Sequence, residues 1–178
     1  MGRGNIFLVG MMGAGKTTLG KALAQRLRRE FVDTDRILVE RTGVPVRTVF
    51  EIEGEKGFRR RESGVLAELA VREDCVVATG GGVVLAEANR RVMRDAGTVV
   101  YLHARLESLW ERTRHDTTRP LLATADPRAT LAAILEERDP LYRDAAHVVV
   151  DTGSQSANTL VNRVVAALRA HEAARDTG

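Results

Sequence analysis

The stretch NIFLVGMMGAGKTTLGKALAQRL, Asn5 to Leu27, passes from an apolar run through a glycine-rich turn into leucines spaced as on one helix face, Leu19, Leu23 and Leu27. It reads as strand, loop, helix. The loop itself, GMMGAGKT (Gly10 to Thr17), fits G-x-x-x-x-G-K-[ST] in the setting that spacing requires. Around Gly13, Ala14 and Gly15 the backbone N–H groups can turn inward on phosphate oxygens, and the following helix adds its positive end. Lys16 brings a charge and Thr17 a hydroxyl suited to Mg²⁺. An ordinary glycine turn would explain the glycines but not the lysine and hydroxyl that follow them. Thr18 is either helix surface or a further phosphate contact.

Outward from this unit, short apolar strands alternate with helical stretches, which argues for an α/β fold with a parallel sheet of about five strands between helical layers. REFVDTD gives a second strand, CVVAT a third, TVVYLH a fourth and AHVVVD a fifth. Helices are expected from Arg36 past VPVRTVFEIEG, around KGFRRRESGVLAELAVRE, from Glu87 to Arg94, over ESLWERTR, over RATLAAILEER and from Ser156 to about Glu172. Pro140 is expected to end the helix before it, because proline disfavours helical geometry in the preceding residue. HDTTRPLLATADP is polar and bracketed by proline, and it reads as a surface loop.

Length and composition agree with one domain. The chain has 178 residues, 44% hydrophobic and 29% charged, which places it with globular rather than disordered or fibrous chains. No apolar run is long enough to span a bilayer, and the first residues lack the long apolar core of a signal peptide. The single cysteine, Cys75, leaves no internal disulfide and suits a reducing cytoplasm; on its apolar strand it reads as buried and inert. The net charge of +3 fits either nucleic acid or small anionic substrates. Apart from Lys16, Lys21 and Lys56 every basic residue is arginine, which suits a bidentate grip on carboxylate and phosphate.

The phosphate loop alone does not fix the chemistry. No N-K-x-D is present, which disfavours a GTPase switch, and a motor would need a larger chain; small kinases remain. A metal-holding acid would be expected after the strand CVVAT, yet three glycines, Gly80, Gly81 and Gly82, stand there. In VDTD, Asp33 and Asp35 would face one way from an extended strand end, with Thr34 pointing away. Both carboxylates can then serve metal and acceptor hydroxyl, or Asp35 can simply cap the next helix. Arg59 shares a helix face with Glu62, which can orient it. Arg138 lies at the edge of the apolar face carrying Leu131, Ile134 and Leu135, where a snorkelling arginine would look the same. HVVVD ends in Asp151 on the last strand, and a structural or ribose-side role fits it better than metal binding.

GMMGAGKTT, DTD, FRRRE, GGG, TRPLL and ERDPLYR occur in the order and at spacings similar to those of shikimate kinases, and the chain resembles that family from Gly10 to Arg143. The resemblance implies a three-layer P-loop kinase fold over residues 1–178, with a substrate-binding region at about 34–61 and a mobile lid at about 113–126. It implies transfer of phosphate from ATP, with Mg²⁺, to the 3-hydroxyl of shikimate on the route to chorismate and the aromatic amino acids. Carried over by motif, Lys16 and Arg119 act on the phosphates and Asp35 on the hydroxyl, with Arg119 swinging on the lid. Arg59 and Arg138 hold the substrate carboxylate, and Phe50 and Phe58 wall its ring. Gly80, Gly81 and Gly82 clear space and offer backbone N–H groups to the substrate, while Arg112 stacks on adenine. Thr17 and Asp33 hold the metal, Asp33 through water, and Thr79 can reach a metal-bound water. Arg60 and Arg61 are left as surface. No basic or proline residue follows the last strand to cover adenine's other face. Shikimate and ATP are the expected partners of a cytoplasmic monomer, with neither nucleic acid nor membrane. Another small kinase, for gluconate or nucleoside monophosphates, and an ATP-responsive nucleic-acid-binding module are the alternatives.

Overall fold

A computed structural model describes residues 4–153 and 155–177. Its first strand, β1 (Asn5–Val9), is buried at every position, which is why it lacks the alternation of a half-exposed strand: both faces of the sheet are covered. Asn5 is the one polar residue in it. Its amide donates to the carbonyls of Leu69 and Arg72 and its Oδ1 accepts from Cys75 N–H, so the side chain is satisfied while joining three segments.

The chain continues through α1 (Lys16–Leu27), β2 (Glu30–Asp33), α2 (Thr34–Thr42), α3 (Val46–Ala70), β3 (Cys75–Ala78) and α4 (Glu87–Ala96). It ends with β4 (Gly97–His103), α5 (Leu106–Thr113), α6 (Pro127–Ala145), β5 (Val148–Asp151) and α7 (Ala157–Asp176). The strands form one sheet in the order β2-β3-β1-β4-β5, all parallel, with Leu8 beside Ala78 on one side and Val100 on the other. α1 packs with α7, and α4 packs with α3 and α6, giving the three layers expected from sequence. The central strand β3 is buried at every position, whereas the edge strand β5 alternates buried and exposed residues.

A parallel sheet gathers the carboxyl ends of its strands along one edge, and the loops leaving them form a crevice there. At the opposite end Gly4 and Thr98 border a small cavity of about 90 Å³ with Leu168, Glu172 and Arg175 of α7. Among the described residues, no helix is long and apolar enough to cross a membrane.

Three local expectations change. Asp33, not Asp35, caps α2, its Oδ1 accepting from the N–H groups of Asp35 (3.0 Å) and Arg36 (3.4 Å). The extended backbone therefore stops at Asp33. Thr34 does not point away as a strand residue would; it opens the helix and is buried. Pro140 does not end α6, which runs on to Ala145. Proline withholds one N–H from the helix ladder, but the turn beyond it carries Tyr142 and Ala145, both fully buried, and this packing holds the helical course. Finally, the two helical stretches expected on either side of Gly54 meet as one α3 with a kink there: Gly54 has φ 68° and ψ 178°, a region open only to glycine. Arg61 spans the kink, gripping Glu53 with Nε and Nη2 at 2.6 to 3.0 Å.

Candidate active site

The loop between β1 and α1 is already shaped around its lysine. Lys16 Nζ donates to the carbonyls of Gly10 (2.7 Å) and Met11 (2.9 Å). Burial lowers its pKa to about 8, against the pull of Asp35. Thr17 donates its hydroxyl to Asp33 Oδ2 at 2.8 Å, so one carboxylate both caps α2 and faces the loop. Among the described residues no group of three or more His, Cys, Asp or Glu is arranged around a metal. The Thr17 hydroxyl and Asp33 carboxylate nonetheless fit magnesium, which keeps several waters and takes its other oxygens from phosphates.

Gly13, Gly15, Lys16, Thr17, Thr18, Asp33, Thr79 and Arg112 line a cavity of about 360 Å³, completed by Met12, Asp35, Gly81 and Arg119. Those last four also line a second cavity, of about 630 Å³, with Phe50, Phe58, Arg59, Glu62 and Arg138. Two rooms thus share a wall. Ala14 is buried behind the loop, and its N–H donates to Met11 O.

In the shared wall, Asp35 Oδ1 is buried and has no hydrogen-bond partner. Burial raises its pKa and nearby Asp33 raises it further, while Lys16, Arg119 and Arg59 pull it down. A carboxylate whose affinity for protons is increased in this way, with a free oxygen, is placed to accept a hydrogen bond from a hydroxyl. Arg119 enters from the loop after α5, tethered to Asp116 at 2.8 Å. That loop, expected to be irregular, contains a short 3₁₀ turn at Pro120–Leu122. Arg47 Nη1 lies 3.5 Å from the carbonyl of Thr117, so α3 and this loop touch across the larger cavity.

Arg59 packs over Phe58 and Phe50, 5.2 and 5.9 Å from the ring centroids, and donates to Glu62 Oε2 at 3.0 Å. Glu62 is fully buried, its other oxygen unpartnered, and burial raises its pKa despite Arg59. Arg138 is 4% exposed with an unpartnered Nε, although its cationic head faces the cavity. Two guanidiniums on separate helices converge on one apolar-walled space, an arrangement suited to a small anion.

Two of the three glycines, Gly80 and Gly82, clear space in a different way from the one expected. A Cβ on Gly80 would sit 2.3 Å from Glu62 Oε1, and one on Gly82 would sit 2.2 Å from Arg59 Cζ. They make room first for the side chains that form the pocket. The Gly80 N–H is also committed, donating to Thr34 Oγ1 at 3.1 Å. Thr79 in turn donates its hydroxyl to Leu8 O at 2.9 Å while remaining on the cavity lining. Arg112 bridges the loop carbonyls of Gly13 (3.1 Å) and Gly153 (3.5 Å), at the rim of the smaller cavity.

A family model described as shikimate kinase matches residues 12–169. The chain belongs to the shikimate kinase family. It is 57% identical to a shikimate kinase of Nitrosospira multiformis, over 86% of this chain and 78% of that one. It is 56% identical to a shikimate kinase of Bordetella pertussis, over 94% of this chain and 79% of that one. Its fold superposes with a TM-score of 0.89 on a shikimate kinase from Acinetobacter baumannii in complex with shikimate, 45% identical, covering 92% and 91% of the two chains.

For this shikimate kinase family member, every candidate site residue of the sequence lies at one of the two cavities or directly behind it. Sequence reasoning left out Thr34, Met12 and Tyr142. Thr34 gave no signal, since its role depends on where β2 stops. Tyr142 did give one: it follows Arg138 by four residues on the same face of α6. Asp151 is a structural partner, paired with His103 Nδ1 at 2.6 Å. His147 Nδ1 accepts from Val99 N–H at 3.0 Å, which ties β5 to β4.

Proposed function

We propose that the chain is an ATP-dependent kinase that phosphorylates the 3-hydroxyl of shikimate, using the smaller cavity for ATP and the larger for shikimate, in the route to chorismate and aromatic amino acids. The observation carrying this reading is the shared wall of Asp35, Gly81, Met12 and Arg119. A γ-phosphoryl group crossing that wall passes between a carboxylate and a guanidinium. Asp35 accepts the hydrogen bond of the attacking hydroxyl and takes its proton as the new oxygen–phosphorus bond forms and the bond from the γ-phosphorus to the departing ADP oxygen breaks. Lys16 and Arg119 stabilise the charge that spreads over the transferring oxygens. Arg59, oriented by Glu62, and Arg138 hold the acceptor's carboxylate, while Phe50 and Phe58 cover its ring. Gly13, Ala14, Gly15 and Thr18 surround the phosphates with Lys16, and Arg112 lies against the base. Thr17, and Asp33 through water, would hold magnesium, which would supply positive charge to offset that of the phosphates.

On this reading the chain is one kinase domain, with residues of about 34–61 forming the acceptor side and about 113–126 the lid. The Arg47 contact with Thr117 supports a lid that meets the acceptor side. One chain lines both cavities, which supports a monomer, and the reaction is placed in the cytoplasm, where ATP is supplied. The decisive assay measures ADP release from Mg·ATP with shikimate, gluconate and nucleoside monophosphates in parallel. Stimulation by shikimate alone is the expected result; stimulation by gluconate or a nucleotide instead would replace the acceptor, and none at all would sink the reading.

A further inference from the structure

Tyr142 is fully buried beneath the wall that the two cavities share. Its hydroxyl donates to the carbonyl of Gly81 at 2.5 Å, and Gly81 is one of the four residues lining both cavities. A Cβ on Gly81 would lie 3.5 Å from this hydroxyl, 3.6 Å from Arg138 Nη1 and 3.5 Å from Gly10 O, so Gly81 touches Tyr142, Arg138 and the phosphate loop at once. The Tyr142 ring stacks on Tyr101 at 4.9 Å between centroids, and the Tyr101 hydroxyl donates to Asp139 at 2.8 Å. One face of the pair is anchored in α6 and β4, and the other holds a backbone carbonyl of the site. Burial pushes the Tyr142 phenol up to about 12, opposed first by the charge of Arg138. The phenol therefore stays a donor throughout the range in which the protein works.

We propose that Tyr142 is a positioning residue for the acceptor, fixing the Gly81 peptide and, through it, the seat of Arg138. A phenol has one proton to give. With that proton on Gly81 O, the peptide joining Gly81 to Gly82 is held in one orientation, and both residues line the larger cavity. Without it, the Gly81 carbonyl loses its buried partner and the peptide can rotate. This inference rests on the proposed acceptor, shikimate.

The test is Tyr142→Phe in the full chain, with Tyr101→Phe as companion. Both variants remove one hydroxyl from the same stacked pair, but the Tyr101 hydroxyl points to Asp139 and away from the cavities. Tyr142→Phe is expected to raise KM for shikimate about fivefold, the scale of one neutral hydrogen bond, while KM for ATP moves by less than about twofold. Tyr101→Phe is expected to leave both constants unchanged. Equal rises in both KM values for Tyr142→Phe, or a lowered Tm with unchanged KM, would reduce Tyr142 to core packing and overturn the proposal. The same rise in Tyr101→Phe would assign the effect to the stack rather than to the Gly81 contact, and would overturn it equally. If the parent chain itself does not turn over shikimate, the functional reading fails first and this inference falls with it.

Discussion

At the scale of single residues, the two arginines of the larger cavity differ in what supports them. Arg59 leans on Glu62 and on two phenylalanine rings, whereas Arg138 is buried with one nitrogen unpartnered. Arg59→Ala and Arg138→Ala are each expected to raise KM for shikimate by about ten- to a hundredfold, the range of a lost charge-assisted hydrogen bond, and to leave ATP binding nearly intact. Equal loss of both affinities would count against the assigned roles. Glu62 carries a separate expectation. Because burial raises its pKa from the ordinary 4.5, the folded chain holds this proton more tightly than the unfolded one. Stability from Glu62 is therefore fully present below about pH 4.5 and is lost as pH rises through the folded value. Glu62→Gln has no such loss. Its Tm relative to the parent should move in the variant's favour from acid to neutral pH, even as its use of shikimate weakens; melts at several pH values that run parallel would refute this. Asp33 and Asp35 mark the limit of residue-level reading. Both carboxylates were legible as site groups, but which of them capped the helix depended on the strand ending at Asp33, two residues earlier than the expected strand.

At the scale of elements, the first strand, loop and helix could be read directly because each pattern has a single physical explanation. A fully apolar run suits a strand covered on both faces, and leucines at helical spacing suit one buried stripe. Pro140 was misread for the opposite reason. The local cost of proline is real, but α6 continues because Tyr142 and Ala145 gain buried contacts beyond it, and no local pattern reveals that gain. Gly54 separates the part of α3 that bears Arg47 and Phe50 from the part that bears Arg59 and Glu62. Gly54→Ala is expected to destabilise the protein by about 1–3 kcal/mol, the cost of forcing a side chain into that backbone region, and to weaken use of shikimate more than of ATP. Thermal melts and paired KM measurements check both effects; an unchanged Tm would mean that the kink relaxes without cost.

At the scale of the whole molecule, the site draws on residues from Gly13 to Arg138 that meet only because a parallel sheet gathers its strand ends. Sequence motifs named the participants. They did not show that Gly80 and Gly82 make room for Glu62 and Arg59, since that is a matter of three-dimensional clearance. If Thr17 and Asp33 hold the metal as proposed, chelating divalent cations should abolish shikimate-dependent ADP formation, and added Mg²⁺ should restore it. Activity that persists in excess chelator would remove both residues from that role. The end of the sheet away from the crevice has its own use. Gly4 and the last turns of α7 lie together there, away from the residues that line the two larger cavities of the site. A fluorophore or a surface tether attached at Gly4 or Arg175 would therefore sit at the far end of the sheet and leave both rooms open to solution, so this end suits immobilisation without redesign of the catalytic face.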